Sequence, residues 1–242
     1  MIRKRVLTCF LFAALASPAL AGACNPDGTW QTDSETARLA QVTSKTPIYH
    51  EFTATGEACK TAGTCGSQGY LLAGDDVVVT QSAGAWACVS FTSSSGKASW
   101  FRAVPLNTLK FKSGPAALGG VWRVEDNVLL LRPDAEELQV RGWAQWPWSS
   151  NPDPAVQQQI KGGGVNLGSI EASTPLKPNL TAARFAEGTT AEDCHLNVKI
   201  LGSYLIAVDN NRCGGHNVTF SGLYRQTSKT VSVKAWQDAA RP

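Results

Sequence analysis

Methionine occurs once in 242 residues, at position 1, and histidine three times, at His50, His195 and His216. That scarcity narrows the chemistry open to the chain, because histidine titrates near neutrality and is the commonest metal ligand. No Gly-x-Ser-x-Gly elbow, no His-Glu-x-x-His pair and no glycine loop with a phosphate-binding lysine occurs. Cys-x-x-Cys and zinc-like Cys/His spacings are also missing. The expectation is therefore no metal, no cofactor and no catalytic residues. No run reaches the roughly 18 apolar residues of a membrane-spanning helix, so no transmembrane span is expected. Net charge is small too. Of 22 Lys+Arg, three (Arg3, Lys4, Arg5) stand at the N-terminus, and without them 19 basic face 19 acidic residues. A balanced chain gives no electrostatic case for nucleic acid or an anionic membrane.

What is present begins with an export signature. Arg3, Lys4 and Arg5 precede an apolar stretch over 6–15, and Ala19, Leu20 and Ala21 fit the small-x-small cleavage rule. Residues 1–21 thus read as a signal peptide with Gly22 as the new start, and the mature protein is expected in the periplasm or outside the cell. Lipidation of Cys24 is the alternative, against which Ala21 stands where a lipoprotein signal wants a large aliphatic residue. Cys9 leaves with the signal. Six cysteines remain, Cys24, Cys59, Cys65, Cys88, Cys194 and Cys213, and an even count in an exported chain points to disulfides. Cys194 and Cys213 are remote from the others and are expected to pair. The other four allow three connectivities, of which Cys59–Cys65 with Cys24–Cys88 is favoured.

The fold class is all-β. Over 194–200 the apolar residues Cys194, Leu196, Val198 and Ile200 alternate with His195, Asn197 and Lys199, the period of a half-buried strand. A second strand spans 204–208, and Asp209, Asn210 and Asn211 supply turn residues. A third sets Val218, Phe220, Gly222 and Tyr224 on one face and Asn217, Thr219, Ser221 and Arg225 on the other. In such a meander the first and third strands lie about 10 Å apart. A Cys194–Cys213 bond therefore requires the 209–213 turn to fold over the middle strand's end. Upstream, 36–112 holds short strands and turns, with Pro47 confining its strand to an edge or a bend and Pro105 and Leu106 closing the unit. A Gly/Ala/Pro hinge at 112–120 separates it from a second all-β pattern. The resulting division is 22–112, 113–226 and a tail, 227–242, whose one β signal is 231–233. The second region suits an antiparallel barrel or a sandwich, with a helical turn at 155–160.

Three stretches resemble known families. Tyr70, Leu71, Leu72 with Gly74, Asp75, then Gly84 with Trp86, then Gly96, Lys97 with Trp100 and Phe101 follow the order of a bacterial Src-homology-3-like domain over about 37–109. Ser99-Trp100 stands where that family usually has Gly-Trp. The resemblance implies a small β-barrel attached to an envelope protein, in some relatives a binder of cell-wall peptides. Gly120, Val121 and Trp122 resemble the Gly-x-Trp first strand of the calycin barrels, and by that likeness Arg225 would pack over Trp122. The closing run from Cys213 to Arg225 looks like the end of small exported bacterial proteins, some found with lysozyme-inhibitor-type proteins.

Candidate sites are few. His50 and His195 read as surface residues, and His216 as a strand-start residue rather than a partner of Asp209 across the turn. Asp134, Glu136 and Glu137 read as a solvated turn rather than a catalytic pair. The aromatics are better candidates. Trp143, Trp146 and Trp148 flank a proline-rich loop, where such residues serve either binding or packing beneath the loop. Tyr49, Tyr70 and Trp100 could line a peptide groove, with Trp86 beside them in the core. The expected protein is a non-enzymatic envelope protein that binds cell-wall (peptidoglycan) peptides or a protein partner. The alternatives are an inhibitor of a lysozyme-like wall hydrolase and a wall hydrolase whose site the sequence conceals.

Overall fold

A computed structural model describes residues 36–49, 66–93, 97–113, 118–149, 151 and 153–239. Residues 1–21, read above as a signal peptide, lie outside the described residues with Cys24, His50, Cys59 and Cys65, as do the expected Cys59–Cys65 and Cys24–Cys88 pairings. The regular structure of the described residues is mainly β-strand, as the alternation and turn residues require, and divides into two antiparallel sheets.

The first sheet holds β1 (Arg38–Val42), β2 (Thr46–Tyr49), β3 (Gly66–Leu71), β4 (Asp76–Ala83), β5 (Trp86–Thr92), β6 (Ala98–Pro105) and β7 (Leu109–Phe111), in the order β3-β2-β6-β5-β4-β1-β7. Each of the seven strands sends residues into one cluster that includes Val42, Ile48, Leu71, Val77, Val89, Val104 and Phe111, so the sheet curls around a common core. Pro47 falls at a register shift in β2, the bend its missing N–H implies. Residues 105 and 106 do not end the unit. A 3-10 turn, Leu106–Thr108, brings β7 back onto β1 with Val42 opposite Leu109 and Ala40 opposite Phe111. Three residues are too few to show a period, which is why β7 left no mark in the sequence pattern.

The second sheet holds β8 (Gly120–Val124), β9 (Asn127–Asp134), β10 (Glu137–Trp146), β11 (Asn166–Pro175), β12 (Ala182–Ala186), β13 (His195–Leu201), β14 (Tyr204–Asp209) and β15 (Gly222–Ser228). Its order, β11-β10-β9-β8-β15-β14-β13-β12, joins two meanders through β15 and β8 and leaves one seam between β11 and β12. Across that seam the Glu171 N–H donates to Glu187 Oε1 at 2.8 Å. The arrangement is a nearly closed barrel rather than a sandwich. Its interior is filled, with Trp122, Leu129, Phe185, Leu196, Phe220 and Tyr224 all fully buried in one cluster.

Three expectations for this half need correction. Arg225 neighbours Trp122's strand but lies on the other face of the wall. Trp122 and Tyr224 point inward, while Arg225 Nη1 donates to Thr92 O at 3.1 Å on the outside. Alternation alone dictates this, since Arg225 follows an inward Tyr224. Residues 218–221 keep their alternating burial but not a ladder, because the buried Asp209 carboxylate takes their donors. It accepts from Thr219 Oγ1 (2.7 Å), Ser221 Oγ (2.7 Å) and the Phe220 N–H (2.8 Å). The tail is helical where a strand was expected at 231–233. Helix α2 (Val233–Asp238) starts at Ser232, whose hydroxyl accepts from the Ala235 N–H at 3.1 Å. The expected helical turn at 155–160 is α1 (Pro154–Lys161), capped by Asp153 with proline at its first position.

The Cys194–Cys213 disulfide forms with Cα atoms 4.5 Å apart. The 209–213 turn does fold back over the end of β14, with the Asn210 N–H on His195 O at 3.1 Å and the His195 N–H on Asn210 Oδ1 at 3.1 Å. Cys88 is also disulfide-bonded.

The two sheets share apolar surface. Tyr204, Ile206, Val208 and Leu223 on the barrel's outside form one cluster with Leu39, Val78, Cys88 and Ala103 of the first sheet. Thr92 Oγ1 donates to Leu223 O at 2.6 Å, and the Tyr204 hydroxyl to Asp76 O at 2.8 Å. Gly202 allows the approach. Its φ of +61° suits glycine, and a Cβ there would lie 2.7 Å from Leu39 Cδ2.

Candidate binding cleft between the two sheets

At the rim of this shared surface lies a cleft of about 420 Å³. Tyr70, Asp75 and Asp76 come from the first sheet's β3–β4 turn, Phe91 to Ser93 from the end of β5, and Ser203, Tyr204 and Arg225 from the barrel. The turn is firmly built. Gly74 takes φ +97°, its N–H donates to Val42 O at 2.8 Å, and Asp75 Oδ2 accepts from the Leu72 N–H at 2.7 Å. It holds two large apolar side chains in solvent, Tyr70 at 55% and Leu72 at 53% exposure. Exposed apolar groups beside converging polar ones mark a surface built to be covered.

The cleft's charges come from both sheets. Asp76 pairs with Lys112 at 2.9 Å, and Lys45 Nζ stands 4.0 Å above the Tyr70 ring. Burial pushes the Tyr204 phenol up to about 12, with Arg225 pulling in the opposite direction, so it is a neutral hydrogen-bond donor at ordinary pH. Arg225 contributes a guanidinium with five donors in a rigid fork, one of them placed on Thr92 O. A guanidinium, the Asp75 carboxylate beside the lysine-paired Asp76, a phenol oxygen able to accept and a solvent-facing aromatic ring suit a short peptide that carries an amine, a carboxylate and an apolar side chain.

The sequence candidates are dispersed. Tyr70 lies in the cleft. Tyr49 makes an edge-on contact with Trp86 (centroids 5.5 Å, interplanar angle 83°), and both rings pack against the cluster between the sheets. Trp100 is on β6, its side chain outside the described residues. Trp143 packs on the barrel's outer face with Val128, Leu130 and Trp236, under the tail helix rather than the 147–164 loop. Trp146 packs against the barrel core, and Trp148 is half-buried in a loop that Asp126 anchors through the Ser149 hydroxyl at 2.7 Å. His216 does not reach Asp209, whose acceptors serve Thr219, Phe220 and Ser221. Sequence reasoning missed Tyr204, Asp76 and the cleft role of Arg225. The unbroken apolar run 204–208 was the available sign, because it demands cover on both faces of one strand.

A second hollow, of about 490 Å³, lies on the barrel's outer face over β12 to β14, between Ala182, Arg184, Asn197, Lys199, Ile206 and Val208. Its exposed lining is mainly apolar and among the described residues includes no aromatic ring, so it offers less to orient a ligand than the cleft does. Among the described residues no group of three or more His, Cys, Asp or Glu is placed to hold a metal ion, and no helix is long and apolar enough to cross a membrane. No protein-family model, curated protein or solved structure matches the chain.

Proposed function

We propose that this is an exported, non-enzymatic protein of the bacterial envelope that binds short peptides, cell-wall peptides foremost, in the cleft between its two sheets. On this reading the first sheet is a bacterial Src-homology-3-like domain and the barrel completes its binding surface. One observation carries the proposal. Exposed Tyr70 and the acidic turn of one sheet face Arg225 and Tyr204 of the other across a cleft of about 420 Å³. Interfaces between packed units are preferred places for ligand sites, and the mixed charge set matches a peptide better than a uniformly charged polymer.

The test is isothermal titration of the mature chain with a soluble peptidoglycan stem peptide. Binding is expected, and Tyr70→Ala should weaken it by at least about tenfold with Tm unchanged, since Tyr70 is mostly in solvent. Equal affinity in the variant, or no binding by the wild type, removes the cleft as the peptide site. Turnover of peptidoglycan fragments by the purified protein would sink the non-enzymatic part.

A further inference from the structure

At the barrel end away from that cleft, Trp146 of β10 and the loop between β14 and β15 border an open hollow of about 700 Å³. Its walls are Trp146, Asn211, Gly214, Gly215, His216 and Asn217, completed by Val218 and Thr219. Among the described residues no carboxylate, lysine or arginine lines it. Asn211, His216 and Asn217 are exposed, and their side chains make no hydrogen bond to the described residues. Trp146 is half-buried, packing against the barrel core and also lining the hollow.

The loop is held from several directions. Cys213 is tied to Cys194, Asn166 Nδ2 donates to His216 O at 2.7 Å, and the Gly215 N–H donates to Leu167 O at 3.2 Å. Its backbone lies directly on β11, where a Cβ at Gly168 would stand 2.3 Å from Cys213 O. Asn211 and Asn217 hold left-handed φ values of 57° and 62°, a region asparagine tolerates better than most residues. A fixed loop loses little conformational entropy when a ligand settles on it.

We propose that this barrel end is a binding site for a neutral saccharide, with Trp146 as the apolar platform and Asn211, His216 and Asn217 as hydrogen-bonding partners. The chemistry matches. A sugar hydroxyl both donates and accepts, as a carboxamide does through its paired N–H and C=O groups. The weakly polar C–H face of a pyranose suits an indole ring, whose apolar body leaves polar partners to the rim. An uncharged lining disfavours an anionic or cationic ligand, whose lost hydration would find no opposite charge. Mouths of β-barrels are recurrent ligand sites. This site is separate from the peptide cleft and does not depend on it.

The test titrates the mature chain with chitotetraose and with maltotetraose, two neutral tetrasaccharides, following heat and tryptophan fluorescence. At least one is expected to bind, and Trp146→Ala should weaken that binding by about tenfold or more. Because Trp146 also packs against the core, the double variant Asn211→Gly with His216→Ala provides the decisive arm. Glycine keeps the left-handed backbone at 211, and both side chains lie in solvent, so the fold should hold while affinity falls. Tyr70→Ala should leave sugar binding unchanged. The proposal is overturned if neither sugar binds, if the double variant binds with wild-type affinity, or if Tyr70→Ala abolishes sugar binding.

Discussion

Strands β9 and β14 carry the same sequence signal and satisfy it on different scales. Each contains an apolar run without alternation, 128–131 in one and 204–208 in the other. In β9, Leu129 and Leu131 enter the barrel while Val128 and Leu130 face out under Trp236 and Ala239. In β14, Leu205 and Ala207 enter the barrel while Tyr204, Ile206 and Val208 face out against the first sheet. A strand apolar on both faces needs two partners, and one partner here is a 6-residue helix while the other is a whole sheet. So short a helix is unstable alone and is held by contacts with the wall. The guanidinium groups of Arg132 (4.2 Å) and Arg141 (4.8 Å) both lie against the Trp236 ring, and Arg141 Nη1 donates to Trp236 O at 2.9 Å. The helix can therefore peel away as a local unit, whereas the cover of β14 is lost only by parting the two sheets, and with them the cleft.

The most disruptive way to break the comparison is Ile206→Asp. An unpaired carboxylate at a site 1% exposed should destabilise the join by more than about 4 kcal/mol. Calorimetry should then resolve two unfolding transitions where one is expected of the wild type, and the proposed peptide binding in the cleft should be lost. A single transition shifted by a few degrees would mean that the sheets are not thermodynamically coupled through β14. Trp236→Ala tests the other side. Removing the ring should cost about 3 kcal/mol and shift Trp143 emission to the red as water reaches it, with peptide binding in the cleft unchanged. Lost peptide binding in this variant would show that the tail helix supports the cleft as well as the wall.

The strands were legible because alternation, turn residues and glycine breaks are local signals. Leu196, Val198 and Ile200 announce an inner face by spacing alone. The covers were not legible, because a run such as Tyr204-Leu205-Ile206-Ala207-Val208 states that both faces are buried without saying by what. The same gap explains the aromatic candidates. Trp143 has outward parity, which reads as a binding residue until Trp236, 93 positions later, is seen to lie on it. Arg225 shows a likeness overruling the pattern. Its parity set it outside the barrel, while the calycin likeness set it over Trp122. Of the cleft, only Tyr70 stood out beforehand, since Arg225 and Tyr204 meet it through the packing of one sheet on another.

The finest contrast between the two covers is Tyr204→Phe. The variant loses the hydroxyl's bond to Asp76 O at 2.8 Å, worth about 1 kcal/mol between the sheets. Its pH dependence is more informative. Burial raises the Tyr204 phenol from 10.0 to about 12 in the folded protein, so the unfolded chain ionises first and gains from doing so. The stabilisation from holding this phenol neutral is complete below pH 10 and fades as pH rises towards 12. Tyr224, fully buried in the barrel, is raised in the same direction, so the variant keeps part of the alkaline loss. Urea unfolding at a series of alkaline pH values should give Tyr204→Phe the shallower decline, while Trp236→Ala keeps the wild-type slope because no phenol lies beneath its helix. Parallel declines for wild type and Tyr204→Phe would show that the Tyr204 phenol is not shielded by the join, and that the cover over β14 is as loose as the one over β9.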